Sequence, residues 1–120
     1  MREVYGGVRV VTCSCADLSA TRRFYVDRLG FSPLSEAPGR EVLVNVGTFR
    51  LRLVPADDTA PPPGRGLALS FRVHDLGRTS RELERRGVPF DVFTARGSGD
   101  VVEIHDPDGR RLRFSEFTQG

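Results

Sequence analysis

The chain has 120 residues, with 18 basic and 16 acidic side chains and a net charge of +2, which is too small to indicate a nucleic-acid-binding protein. A hydrophobic fraction of 38% and a charged fraction of 28% are typical of a globular protein of one domain, residues 1–120. No apolar run reaches membrane-spanning length, and residues 1–5 lack the apolar core of a signal peptide. We therefore expect a cytoplasmic protein that binds neither nucleic acid nor membrane.

The first half of the chain reads as a strand, a helix and further strands. The extended run "VRVVTCSC" precedes Asp17, which is typical of a helix N-cap, and Gly30 is typical of a helix end. "REVLVNVG" and "TFRLRLV" then predict strands, and "SEAPGR" predicts a loop. Cys13 and Cys15 have C-x-C spacing, which differs from a redox or zinc pair, so we interpret them as core residues.

The second half repeats this order after a connector of prolines and glycines, residues 55–66. "LALSFRV" predicts a strand, and a helix follows from Asp75 to Gly87. "PFDVFT", "VVEIHD" and "RRLRFSEF" predict three strands, with "ARGSGD" and "DPDGR" as turns. Both helices begin with Asp-Leu and end at glycine. The sequence therefore predicts two β-α-β-β-β modules, residues 5–54 and 67–117, which pair with their helices outside.

Two motifs give this repeat a specific resemblance. "ADLSATRRFYVDRLGF" and "HDPDGRRLRFSE" resemble segments of the vicinal oxygen chelate family, which includes glyoxalase I, extradiol dioxygenases and bleomycin-resistance proteins. The resemblance implies an α+β fold in which tandem βαβββ modules form a cup-shaped mixed sheet. It also implies a homodimer, and it says little about the reaction because this fold hosts many chemistries.

Family enzymes hold a divalent metal in the cup, and the resemblance places the ligand positions at Val10, Arg52, Ala68 and Arg113. Valine and alanine have no donor atom, and a guanidinium group is cationic without a free lone pair. We therefore expect no metal and no other cofactor.

Arginine alternates with apolar residues in "FRLRLV" and "RRLRFSEF", which predicts that Arg50, Arg52, Arg111 and Arg113 share the faces opposite the core. Such a lining favours an anionic ligand. Alternatively, Arg50 and Arg111 simply reach solvent, and Glu103 or Asp91 neutralises Arg52 and Arg113.

Further residues are candidates for contact with a ligand. Glu103 and His105 lie on the cup side of one strand and could transfer protons in an enzyme, although His105 could equally cap the "DPDG" turn. His74 is expected to support the turn into the second helix. Neutral hydrogen bonds would come from Thr12, Ser14, Asn45 and Ser70, and an aromatic wall from Phe93, Phe90 and Tyr5, unless these rings are core residues.

Three functions remain open at this point. The first is a metal-independent protein that binds an anionic or phenolic natural product, in antibiotic resistance or secondary metabolism. The second is a cofactor-free lyase, isomerase or cyclase that uses arginine with His105 or Glu103. The third, a metal-dependent glyoxalase or dioxygenase, requires ligands that the sequence does not supply.

Overall fold

The computed structural model describes residues 9–57, 63–64, 67–95 and 99–117. Two compact units divide between Pro63 and Gly64. Tyr5, most of the connector and residues 96–98 of the "ARGSGD" turn lie outside the described residues. No helix in the described part of the chain is long and apolar enough to cross a membrane.

The first unit contains one mixed four-stranded sheet with its helix between the first two strands. Its elements are β1 Val10–Cys15, α1 Leu18–Arg22, a π-helical turn Arg23–Arg28, β2 Ser32–Ala37, β3 Glu41–Asn45 and β4 Arg50–Pro55. The strand order is β1-β4-β3-β2, in which β1 and β4 are parallel and the other neighbours antiparallel.

The second unit repeats this topology. Its elements are β5 Ala68–Val73, α2 Leu76–Arg85, β6 Asp91–Ala95, β7 Gly99–His105 and β8 Arg111–Glu116, in the order β5-β8-β7-β6 with β5 and β8 parallel. The predicted tandem βαβββ fold is confirmed.

Strand alternation decides which side of each sheet is core. Leu51 and Leu53 are fully buried in β4, as Leu112 is in β8, whereas the arginines between them point to the opposite face. Cys13 and Cys15 are buried in β1, as predicted. On β7, Val102 and Ile104 face the core, which leaves Glu103 and His105 on the other side.

The two helices start as the sequence predicts. The Asp17 carboxylate accepts a hydrogen bond from the N–H of Ala20, and the Asp75 carboxylate accepts one from the N–H of Arg78, both at 3.0 Å. Glu116 also accepts a bond from the N–H of Leu76 at 2.9 Å, which ties α2 to β8.

The first helix differs from the prediction in its second half. A π-helical turn replaces regular α-helix after Arg22, and the N–H of Leu29 donates to the carbonyl of Phe24, five residues back, at 2.9 Å. Tyr25 is fully buried there, and Phe24 packs edge-on against its ring with 5.3 Å between centroids. The Phe-Tyr pair therefore lies within this wider turn.

The "SEAPGR" loop was predicted too long. Ser35, Glu36 and Ala37 belong to β2, and the turn occupies residues 38–40. The Glu36 carboxylate forms an ion pair with Arg22, and this hydrogen bond lowers the pKa of Glu36. The ion pair therefore links the exposed edge strand to α1.

The "DPDG" turn is held by Asp106 and not by His105, which corrects one interpretation of that histidine. The Asp106 carboxylate accepts 2.9 Å hydrogen bonds from the N–H groups of Asp108 and Arg110 and forms an ion pair with the Arg110 side chain. Asp106 and Arg110 are 4% and 3% exposed, so this pair is buried.

Candidate functional site

In the first unit, the predicted polar residues share the sheet face opposite the core. Arg52 lies between Thr12 on β1 and Leu43 on β3, and Arg50 lies opposite Asn45. Ser14 follows on the same face of β1. The nearest carboxylate to Arg52 belongs to Glu41, 3.7 Å from its Nε, and both side chains are about two-fifths exposed, at 41% and 42%.

In the second unit, the predicted residues again occupy one face. Arg113 lies between Ser70 on β5 and Glu103 on β7, and Arg111 lies opposite His105. Phe93 lies on β6 opposite Val101. The alternation of β8 and the pairing of three neighbouring strands therefore bring together the candidate acid, base, aromatic ring and arginine.

Glu103 is the centre of this second group. Its Oε2 accepts a 2.7 Å hydrogen bond from Nε of Arg113, and its Oε1 lies 3.4 Å from Nε2 of His105. The Glu103 side chain is only 12% exposed, whereas that of His105 is 47% exposed. Arg113 also lies over the Phe93 ring, with its Cζ 5.4 Å from the centroid. We call Phe93, Glu103, His105 and Arg113 the Glu103 cluster.

The cluster has groups suited to contact a small molecule and groups suited to transfer a proton. An exposed imidazole beside a carboxylate is suited to exchange a proton with a bound molecule, and the ring of Phe93 offers a flat apolar surface. The Nε–H of Arg113 is directed to Glu103. Asp91 lies opposite Glu103 on β6 and forms no ion pair with Arg113 in the described part of the chain.

Other predicted aromatic and histidine residues lie elsewhere. His74 packs against Phe117 with 4.8 Å between ring centroids, at the turn before α2 where it was expected. Phe90 is half-buried just before β6.

The side chains at the four positions that the resemblance assigns to metal ligands do not fit a metal ion. Val10 and Ala68 begin β1 and β5, and Arg52 and Arg113 are directed to Glu41 and Glu103. Over the described ranges, no group of three or more His, Cys, Asp or Glu residues is placed to hold a metal. A guanidinium group cannot replace such a ligand.

The described residues of each unit line a cavity. One of about 490 Å³, in the second unit, is bounded by α2, by Val92 on β6 and by Phe117. The other, of about 330 Å³ in the first unit, is lined by Arg9, Arg50, Asn45 and Thr48 among others. Arg9 and Thr48 were not predicted as site residues. They line one cavity because β1 pairs with the distant β4, and the local sequence does not indicate this pairing.

A model of the Glyoxalase/Bleomycin resistance protein/Dioxygenase superfamily matches residues 8–114. The chain therefore belongs to this superfamily. A comparison with curated proteins found no match.

Solved structures with the same fold include two from Streptomyces sp. CB03234. TnmS3, an antibiotic binding protein, is 27% identical with a TM-score of 0.80 over 95% of this chain and 98% of its own. A glyoxalase/bleomycin resistance protein is also 27% identical, with a TM-score of 0.72 over 91% and 99%. A lactoylglutathione lyase from Agrobacterium tumefaciens, at 20% identity and a TM-score of 0.69 over 93% and 94%, shares the fold.

Proposed function

We propose that this protein binds a small anionic or phenolic natural product without a metal, in antibiotic resistance or secondary metabolism. The observation that carries the proposal is its similarity to TnmS3, which extends over 95% of this chain and 98% of that antibiotic binding protein. Neither the fold nor the family alone selects binding over catalysis.

The chemistry of the exposed sheet faces supports an acidic or phenolic ligand. In the first unit, Arg50 and Arg52 present positive charge beside the neutral donors Thr12, Ser14 and Asn45. In the second, Arg111, Arg113, Ser70 and Phe93 share a face. Guanidinium groups pair with carboxylate and phenolate oxygens, and they repel cationic drugs.

Metal independence is part of the proposal. It is supported by Val10, Arg52, Ala68 and Arg113 at the family's ligand positions, since none of these side chains coordinates a divalent ion. Metal analysis of the purified protein tests it directly, and a stoichiometric divalent ion that resists dialysis would contradict it.

Binding is tested by isothermal titration with two matched pairs of compounds: naphthoate with its methyl ester, and naphthol with its methyl ether. We expect the acid and the phenol to bind and the two capped compounds to bind about tenfold more weakly, since one charged hydrogen bond accounts for such a factor. Equal binding of the capped compounds, or no binding of any of them, would contradict the proposed ligand class.

Arg52→Gln tests whether the positive charge of Arg52 contributes to ligand binding. Arg78→Gln is the matched control, because Arg78 lies on the exposed surface of α2. We expect R52Q to weaken naphthoate and R78Q to leave its affinity unchanged. If both variants bind like the wild type, Arg52 is not a ligand-binding residue.

A second candidate function is a cofactor-free lyase, isomerase or cyclase, which the contact of 3.4 Å between Glu103 and His105 favours. In that case Glu103 or His105 moves protons and the arginines stabilise developing negative charge. The test is to incubate the protein with the compounds that it binds and to look for products by mass spectrometry. A product that the wild type forms, and that His105→Ala and Glu103→Ala do not, would establish catalysis and overturn pure binding.

We further propose a homodimer, as the resemblance implies. Native mass spectrometry of the freshly purified protein measures the assembly and any copurified small molecule together. A dimer that carries an acidic organic adduct is expected, and a monomer at all concentrations would contradict the assembly.

A further inference from the structure

The cavity of about 330 Å³ in the first unit has two arginines in its wall. Arg9 directly precedes β1 and Arg50 begins β4. The N–H of Arg50 donates a 2.8 Å hydrogen bond to the carbonyl of Arg9, so the parallel pairing of the two strands holds these residues side by side. This hydrogen bond holds the two backbones together at one end of the sheet, and both residues line the same cavity.

Neutral donors complete the wall. Asn45 lies opposite Arg50 across β3 and β4. The following turn is closed by a 3.1 Å hydrogen bond from the N–H of Val46 to the carbonyl of Phe49, and Thr48 within this turn reaches the cavity. An amide and a hydroxyl group therefore lie beside the two cations.

The positive charge of this wall is not balanced within the part of the chain that the structure describes. No described carboxylate forms an ion pair with Arg9 or Arg50, and none lines the cavity. By contrast, Arg52 and Arg113 are each directed to a glutamate. A guanidinium group has only donors, and an oxyanion in this cavity supplies the charge and the acceptor oxygens that the two arginines lack there.

We propose that this cavity is an oxyanion site, at which Arg9 and Arg50 bind the carboxylate or phosphate group of a small molecule and Asn45 and Thr48 donate further hydrogen bonds. The volume lies near the lower end, about 300 Å³, of cavities that hold small molecules, so it suits an acidic group with a small body. The inference deepens the proposed function and rests on it only for the identity of the natural ligand.

The test uses small anions and follows the arginine Nε–H signals of the labelled full-length chain by NMR. Inorganic phosphate and benzoate are titrated separately, with benzamide as the neutral match to benzoate. The variants are Arg9→Gln and Arg50→Gln, with Arg78→Gln as the control, and circular dichroism verifies that each is folded.

We expect benzoate or phosphate to saturate the site, benzamide not to bind, and R9Q and R50Q to weaken the anion about tenfold, since each removes a charged hydrogen bond. R78Q should bind like the wild type, and added sodium chloride should weaken binding by screening. Whichever of phosphate and benzoate binds more tightly identifies the preferred oxyanion.

Unchanged affinity in R9Q and R50Q, equal binding of benzamide, or no saturable binding would overturn the site. The two proposals fail separately. If naphthoate binds the wild type and both variants equally, the function stands and the oxyanion site falls. If phosphate binding depends on Arg9 and Arg50 but neither naphthoate nor naphthol binds the wild type, the oxyanion site stands and the function falls.

Discussion

Arg52 and Arg113 occupy equivalent positions in the two sheets, but the residues opposite them on the antiparallel neighbour differ: Leu43 faces Arg52 and Glu103 faces Arg113. Arg113 is therefore hydrogen-bonded at 2.7 Å to a mostly buried carboxylate, whereas the glutamate 3.7 Å from Arg52 is exposed. The two arginines thus have equivalent positions in the repeat and different electrostatic environments. In the described part of the chain, Arg52 is the less closely paired of the two.

Arg113→Ala should destabilise the second unit through loss of the Glu103 hydrogen bond and the Phe93 contact. We expect a cost of about 1–2 kcal/mol in the free energy of unfolding, less than for a buried pair because the arginine is partly exposed to water. Urea denaturation measures it. Arg111→Ala, on the same face of β8, is the control and should change stability by less than about 0.5 kcal/mol.

A double-mutant cycle of R113A with Glu103→Ala separates the ion pair from the loss of packing. The coupling energy should be about 0.5–1 kcal/mol. Strict additivity of the two substitutions would show that the pair contributes nothing beyond the contacts that each residue makes alone.

The sequence predicts the fold well because its evidence is local. An N-cap aspartate, a terminal glycine and alternation of arginine with leucine each act within a few residues, and each occurs twice. Strand β2 was missed since its residues are mostly exposed and lack alternation, and Pro33 weakens strand propensity. The π-helical turn was also not predicted, because the spacing of apolar residues does not distinguish it from a regular α-helix.

Some contacts of the candidate site could likewise be predicted from the sequence, and others could not. The contact of Glu103 with Arg113 could be anticipated because a short turn joins their antiparallel strands. The contact of Arg9 with Arg50 could not, since it depends on parallel strands that are separated by a helix and two further strands. Buried Arg110 was missed for another reason: arginine is rarely buried, and only the geometry of the turn provides its carboxylate partner.

Asp106→Asn should be strongly destabilising. The substitution removes the Asp106 charge from the buried Arg110 guanidinium, and breaking a buried ion pair in this way costs about 3–5 kcal/mol. Thermal and urea denaturation measure the loss. Asp91→Asn removes the same charge from an exposed position on β6 and should change stability by less than about 0.5 kcal/mol. Equal stability of the two variants would contradict the structural role of the buried pair.

Glu82 should make a contribution to stability that depends on pH. Hydrogen bonds from Arg85 and Arg86, at 2.6 and 2.7 Å, lower the pKa of its carboxyl group from 4.5 to about 2. A pKa that is lower in the folded state stabilises the fold above the unfolded value of 4.5, and this stabilisation is lost as the pH falls toward about 2.

The measurement compares the urea midpoints of the wild type and Glu82→Gln at about pH 7 and about pH 3. The variant should be slightly less stable at the higher pH, and the difference should shrink at the lower pH. Glu84→Gln changes the charge of α2 by the same amount, and Glu84 forms no ion pair in the described part of the chain. The urea midpoint of this variant should therefore differ less from that of the wild type at neutral pH. A gap that widens on acidification would contradict the assignment.

Gly64 and Gly39 provide a matched test of how the segment before β5 approaches the "DPDG" turn. Their φ angles are nearly the same, +78° and +74°, so replacement by alanine carries the same backbone penalty of about 1–2 kcal/mol at both. A Cβ at Gly64 would overlap the carbonyl oxygen of Asp108 and lie 3.0 Å from its carbon, whereas a Cβ at Gly39 meets nothing within 4 Å. Gly64→Ala should therefore cost about 1–3 kcal/mol more than Gly39→Ala in the free energy of unfolding.

Because the turn precedes β8, G64A should also shift the NMR signals of Arg111 and Arg113, and G39A should not. Equal costs for the two substitutions would show that the segment does not press against the turn in solution.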